Sequence, residues 1–405
     1  MNGNPFTRRA FLQASAVAPL AAAAPRAIKN IEQLTIFRGR DGGTTWFHPR
    51  AGRIPNKPQP TLLMTLQSIT GSDVFGHVNW SKSDDLGATW SIPEPIPGFG
   101  RTLHPDGIEE GVCDVVPEYH PPSKSIIAMG HNVYYKAGRL TQPSEKRWPV
   151  YAVRSPQGRW SPLRKLAWED PEATAMYTSG CSQRITLEGG DLLVPLSFGA
   201  LGRTDRGVTT MRCRFDGEQL HVAGTGTRLH LAAGRGLLEP SLASLAGHYY
   251  MTIRAEDNHG YVTVSNDGLN WNEMKPWCWD DGEPVTMSTT QQRWLPHSDR
   301  LLLVYTRKAP ENANVMRWRA PLYIAEVDAA RLVLIRATEQ IVFPMSGDGV
   351  KDPDSVAHHG NFHTTAVTPE MSIVTVGETL PKKGFRGDTL LARIYWNRPN
   401  RNLRG

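Results

Sequence analysis

The stretch SKSDDLGATW, Ser81 to Trp90, decides the fold reading. Within it Ser83, Asp85, Gly87, Thr89 and Trp90 spell S-x-D-x-G-x-T-W. The physics is that of a hairpin turn: a short acidic side chain caps nearby backbone N–H groups, glycine supplies a positive φ, and tryptophan packs beneath. SNDGLNW repeats the pattern one residue shorter, with Ser265, Asp267, Gly268 and Trp271. Two weaker echoes are GRDGGTTW, ending at Trp46 with Gly39 where Ser would stand, and SPQGRW, ending at Trp160 without the Asp.

Runs of β-branched and aromatic residues flank these turns. VFGHVNWS precedes Trp90, and YYMTIRA and GYVTVS precede Trp271. SIIAMGHNVYY, DLLVPLSFG, RLLLVYTR, APLYIAEVD, SIVTVGE and TLLARIYW are further strand candidates at propeller-like intervals. With 37 Gly, 31 Pro and 12 Trp in 405 residues, and 21% charged, composition favours many short strands joined by turns.

The N-terminal TRRAFLQASAVAPLAAAAPRA pairs Arg8 and Arg9 with a short apolar run, which reads as a twin-arginine export signal over residues 1–27. The rest, 28–405, is expected to be one propeller domain, monomeric, exported to the periplasm or beyond, with no membrane span. Cys113, Cys181, Cys213 and Cys278 show no C-x-x-C spacing, so no structural zinc set is assigned, and a Cys181–Cys213 disulfide is left open. A net charge of +6 without basic runs or nucleic-acid-binding motifs points to an anionic glycan rather than a nucleic acid. No cofactor fingerprint is present.

The turns resemble the Asp-box (BNR) repeats of the sialidase superfamily. That resemblance implies an all-β, six-bladed β-propeller, with seven blades as the alternative, and a structural role for Asp85 and Asp267. Retaining sialidases use a Tyr nucleophile polarised by Glu, an Asp acid/base and three Arg that clamp a carboxylate. Carried over, AGRIPN supplies Arg53 as the first clamp, and GSDVFG supplies Asp73 as the acid/base. GLLEPSLASLAGHYYMTIRAEDNHGYVTVSNDGLNW supplies Glu239 and Arg254. RWRAPLYIAEVD offers Arg317 and Arg319 on one side of a strand, and Arg319 is preferred.

The expected place of the nucleophile, HHGNFHTTAVTPEMSIVTVGE, holds no Tyr but does hold His358, His359, Asn361 and His363. These histidines admit a metal site, an inert loop, or acid/base and substrate-binding work. We assign His359 to catalysis, and Asn361 and His363 to substrate binding. MGHNVYYK and AMYTSGCSQRITL add His131, Tyr177 and Arg184, a set similar in kind to that of propeller lyases that eliminate across uronate rings. The leading expectation is an exo-acting glycoside hydrolase on a terminal anionic sugar. A uronate lyase and a non-catalytic glycan-binding propeller are the alternatives.

Overall fold

The alternating runs become short antiparallel strands in a computed structural model that describes residues 26–141 and 146–403. The expected export signal lies, through residue 25, outside the described residues. The strands form six sheets, each a blade numbered I to VI from its innermost strand outward. Blade I runs Trp46–Ile54, Thr61–Gly71, Val74–Ser83 and Glu94–Pro95. Blade II is built on Ile108–His120, Ser125–Lys136 and Pro149–Arg154. The inner strand of blade III is broken into Met176–Thr178 and Ile185–Thr186, and both pieces pair with Leu192–Gly199. Leu238–Leu245, Arg293–His297 and Phe362–Thr368 begin blades IV, V and VI.

Blade VI closes the ring. Its outer strand, Ile28–Phe37, comes from the start of the described chain and pairs with Thr389–Trp396 near its end, Gln33 opposite Ala392. This joins the two ends of the chain and leaves no open gap in the ring.

The apolar core lies mainly in slabs between neighbouring blades. Trp277, Trp294 and Leu303 fill the space between blades IV and V, and Leu302, Phe362 and Val374 that between V and VI. Met129, Tyr177 and Val194 lie between II and III. The slabs explain why central strands such as Leu192–Gly199 are buried along their whole length: both faces of each blade are covered. Trp294 shows how tightly one slab is made. It meets Trp277 edge-on with centroids 5.7 Å apart, and its indole N–H donates to the Ser241 carbonyl at 3.0 Å.

The hairpins between third and fourth strands repeat a capping scheme. Asp85 Oδ1 accepts from Ser83 Oγ at 2.8 Å and Thr89 N at 2.9 Å, and Gly87 sits at φ +82°. Asp267 Oδ1 accepts from Ser265 Oγ and from the N–H groups of Leu269 and Asn270 at 2.7 to 2.9 Å. SPQGRW occupies the same position in blade II, where the Ser155 hydroxyl accepts from Arg159 N at 3.3 Å. GRDGGTTW does not: it is the connection from blade VI into blade I, and Asp388 caps its Gly39 and Arg40 N–H groups. All four cysteines are free thiols, so Cys181 and Cys213 are not bridged.

Candidate active site

The inner strands kink at one level of the ring. Pairing shifts between Phe47 and Arg50 in blade I, between Cys113 and Val116 in blade II, and between Leu238 and Ser241 in blade IV. Each shift holds a non-glycine residue in the left-handed region: His48 at φ +52°, Asp114 at +59°, Glu239 at +46°. In blade III the break between the two strand pieces holds Cys181 at +58°. Such residues cost about 1–3 kcal/mol each and cluster at functional sites. The freed backbone groups are satisfied between blades: Cys181 N donates to the Asp114 carbonyl at 2.8 Å, and Glu239 N to Ser197 Oγ at 3.0 Å.

All four kinked residues line one cavity of about 480 Å³ at this end of the ring. Asp73 reaches it from the hairpin tip between Gly71 and Val74, Arg254 from the end of His248–Arg254, and Asn361 from the start of blade VI. Arg317 and Arg319 both reach it. They lie in a turn before Leu322–Asp328 rather than on a strand, with Arg317 at φ +54°, so strand alternation does not choose between them.

The cavity is rich in arginine. Arg254 donates to Glu239 Oε1 at 2.5 Å, and Arg235 pairs with Glu256. Arg206, Arg317 and Arg319 also line the cavity and make no ion pair among the described residues. Burial, then Arg147 and Arg235, pushes Arg206 down to about 10; burial, then Arg254 and Arg317, does the same to Arg319. Both stay charged at neutral pH, and Arg319 Nε is buried without a partner.

The floor carries a second group. His48 Nε2 lies 3.5 Å from Asp114 Oδ1, and Arg50, itself buried, donates to the same oxygen at 2.6 Å. Cys113 Sγ lies 3.3 Å from His131 Nε2. Burial pushes the Asp114 carboxyl up, but His48, Arg50 and His131 more than offset this and hold it below the usual range. Burial lowers His48 to about 4 and His131 to about 3, so both rings are neutral at pH 7.

The structure therefore brings Asp73, His131, Glu239, Arg254, Arg319 and Asn361 together and leaves the other expected residues outside. Arg53 sits farther down its strand and donates to the Val367 carbonyl at 2.9 Å. Tyr177 is buried between blades; its hydroxyl donates to Leu166 O at 2.9 Å and accepts from Trp168 N at 3.1 Å, and burial raises it to about 12. Arg184 is spent on Glu118 and on the Val116 and Ile127 carbonyls in the central channel. His359 turns away from the cavity toward Glu378, at 3.8 Å, while its neighbour His358 lines the wall. His363 lies buried in the channel; burial, then Arg293, Arg50 and Arg184, pushes it far below its ordinary value. No tyrosine is among the described residues that line the cavity.

Sequence reasoning missed His48, Asp114, Arg206 and Arg235. The sole local hint was the HPR run at His48 to Arg50, which sets an imidazole and a guanidinium close together in the chain.

No protein-family model matches the sequence, and no curated protein does. Among solved structures, a sialidase of Trypanosoma rangeli in complex with the inhibitor DANA aligns with a TM-score of 0.62 at 14% identity, over 90% of this chain and 60% of that one. The Hadza microbial sialidase Hz136 gives 0.64 at 15%, over 89% and 68%. The architecture is sialidase-like. A protein of unknown function from Dyadobacter fermentans gives 0.63 at 13%, over 91% of this chain and 100% of that one. At these identities the likeness is one of fold: the sialidase-like ring is shared, and the chain spans 60% of the length of the T. rangeli enzyme.

Proposed function

We propose that the protein is a carbohydrate-active enzyme that binds the terminal anionic sugar of a glycan in this cavity and hydrolyses its glycosidic bond. The observation that carries the reading is the set of four lining arginines, Arg147, Arg206, Arg317 and Arg319, that have no carboxylate of their own among the described residues. A guanidinium in a partly dry cavity is suited to a carboxylate, which it grips in two parallel hydrogen bonds. The likeness to sialidases adds support at the level of fold.

Hydrolysis places a water oxygen on the anomeric carbon, breaks the glycosidic C–O bond and delivers a proton to the departing oxygen. In this reading Glu239, held by Arg254, takes the proton from the water. Asp73, which lines the cavity from a hairpin tip, gives a proton to the leaving group. The cavity wall offers no described tyrosine as nucleophile, which favours attack by water over a tyrosyl intermediate. Product mass spectrometry on a panel of sialylated and uronate-containing glycans tests the reading. Products heavier in sum by one water per cleavage are expected; conserved total mass with an ultraviolet-absorbing unsaturated end would replace hydrolysis by elimination.

A further inference from the structure

We infer that the floor of the cavity is a binding site for one divalent transition-metal ion of the zinc class, held by Cys113 Sγ, the Asp114 carboxylate and His131 Nε2. The geometry comes from the bulge in blade II. Cys113 and His131 are direct partners across Ile108–His120 and Ser125–Lys136, and their donor atoms are 3.3 Å apart. In a regular strand Asp114 would point to the opposite face from Cys113. The register shift and the left-handed Asp114 turn its carboxylate back to the same side, and Oδ2 lies 3.8 Å from Sγ. The three ligand atoms all lie within 4.8 Å of one another.

The Cys113–His131 spacing is what a small tetrahedral ion requires, and the Asp114 carboxylate closes in on binding. Metal–sulfur bonds of about 2.3 Å and metal–nitrogen or –oxygen bonds of about 2.0–2.2 Å put neighbouring donors roughly 3.3–3.7 Å apart. A thiolate, an imidazole and a carboxylate together are a zinc-type donor set, whereas magnesium or calcium would take oxygen ligands. The surroundings fit as well. Arg50 fixes the Asp114 carboxylate through Oδ1, as an outer group does for a ligating carboxylate, and His48 stands 3.5 Å from the same oxygen, which leaves Oδ2 toward the thiol. His131 is buried, its Nδ1 has no partner, and its Nε2 meets only the thiol, a weak hydrogen-bonding group. Its position is close-packed by Gly180, where an added Cβ would come within 2.0 Å of Nδ1.

Binding is a ligand exchange without redox chemistry: the Cys113 thiol gives up its proton to solvent as sulfur bonds the ion. Three protein ligands leave a fourth position, and all three residues line the cavity, so that position faces the space proposed for the sugar. The site uses none of the unpaired arginines, so its failure would leave the hydrolytic reading standing.

The test is cobalt(II) titration of the full-length protein after chelator treatment. One equivalent should bind with a thiolate-to-cobalt charge-transfer band and release of a proton, and zinc should displace it. Cys113→Ser should abolish the band and weaken zinc binding more than about 100-fold; Cys213→Ser, in the slab between blades II and III, should change neither. Zinc should also raise the melting temperature of the wild type and not that of Cys113→Ser, which separates loss of the site from loss of the fold. Absence of the band in the wild type, or its persistence in Cys113→Ser, overturns the inference.

Discussion

The capped turns at the outer hairpins and the kinked floor of the cavity use the same materials, acidic side chains beside left-handed backbone, to opposite ends. In the turns, partners are local. Asp267 finds Ser265, Leu269 and Asn270 within three residues, and the backbone N–H of Asn270, foremost among these groups, holds its carboxyl well below the ordinary range. Around the cavity, partners of the floor groups come from different blades, and several lining groups are left with none: Arg319 Nε, His131 Nδ1 and His358 Nδ1 are buried and unmatched. Buried polar groups in native proteins are normally hydrogen-bonded, so the unmatched ones that line the cavity are free to meet a ligand. The difference separates acids that cap the outer turns from acids that line the cavity.

The largest effects should break this contrast most openly. Glu239→Gln keeps the shape and removes the charge; turnover should fall by about 10²–10⁴, while Asp267→Asn should leave it unchanged. Steady-state kinetics on both variants checks this, and equal losses would erase the distinction. Replacing Arg319 by Ala removes a charge-assisted contact worth about 1.5–3 kcal/mol, so substrate binding should weaken roughly 10- to 100-fold. Calorimetric titration of the wild type and the variant with the anionic sugar measures it.

Stability should report the turns instead. Asp267→Ala should cost about 0.5–2 kcal/mol in urea unfolding, as loss of a comparable side-chain cap does. The folded carboxyl lies below its unfolded value, so this contribution is present above the unfolded pKa and lost as pH falls toward the folded one. The buried histidines sharpen the comparison more gently. Burial, then Arg319 and His359, lowers His358 to about 4, and burial, then Arg293, Arg50 and Arg184, holds His363 well below its ordinary value. Between pH 6.5 and 4 the unfolded chain therefore binds more protons than the folded one. Stability should fall by up to about 1.4 kcal/mol per pH unit for each of these histidines as pH drops through that window. Denaturation of wild type and His358→Gln across pH 4–7 checks the sign, and a flat profile in the wild type would contradict it.

What could be read in the chain follows the same division. The turn at Ser83 to Trp90 is written in consecutive residues, and the alternating runs beside it are local too, so strands, hairpins and ring architecture were legible. Glu239 and Arg254 were legible because Leu238 and Arg254 are register partners in one blade. Arg53 misled because it stands three residues from Arg50, and the bulge between Phe47 and Arg50 sets which side chains reach the floor. His359 misled for a related reason: strand pairing begins only at Phe362, so alternation did not govern the loop, and His358 took the wall. Tyr177 looked accessible because strand propensity says nothing of the hydrogen bonds to Leu166 and Trp168 that hold it between blades. Arg206 and Arg235 are near in space only because blades III and IV meet.

The arginines without carboxylates of their own should hold an anion. The most direct measurement is a crystal structure of Glu239→Gln with a terminal carboxylated sugar. The account predicts the carboxylate within hydrogen-bond distance of Arg319 and at least one of Arg206 and Arg317, with the glycosidic oxygen facing Asp73. A sugar bound with its carboxylate turned to solvent, or seated away from this cavity, would contradict it.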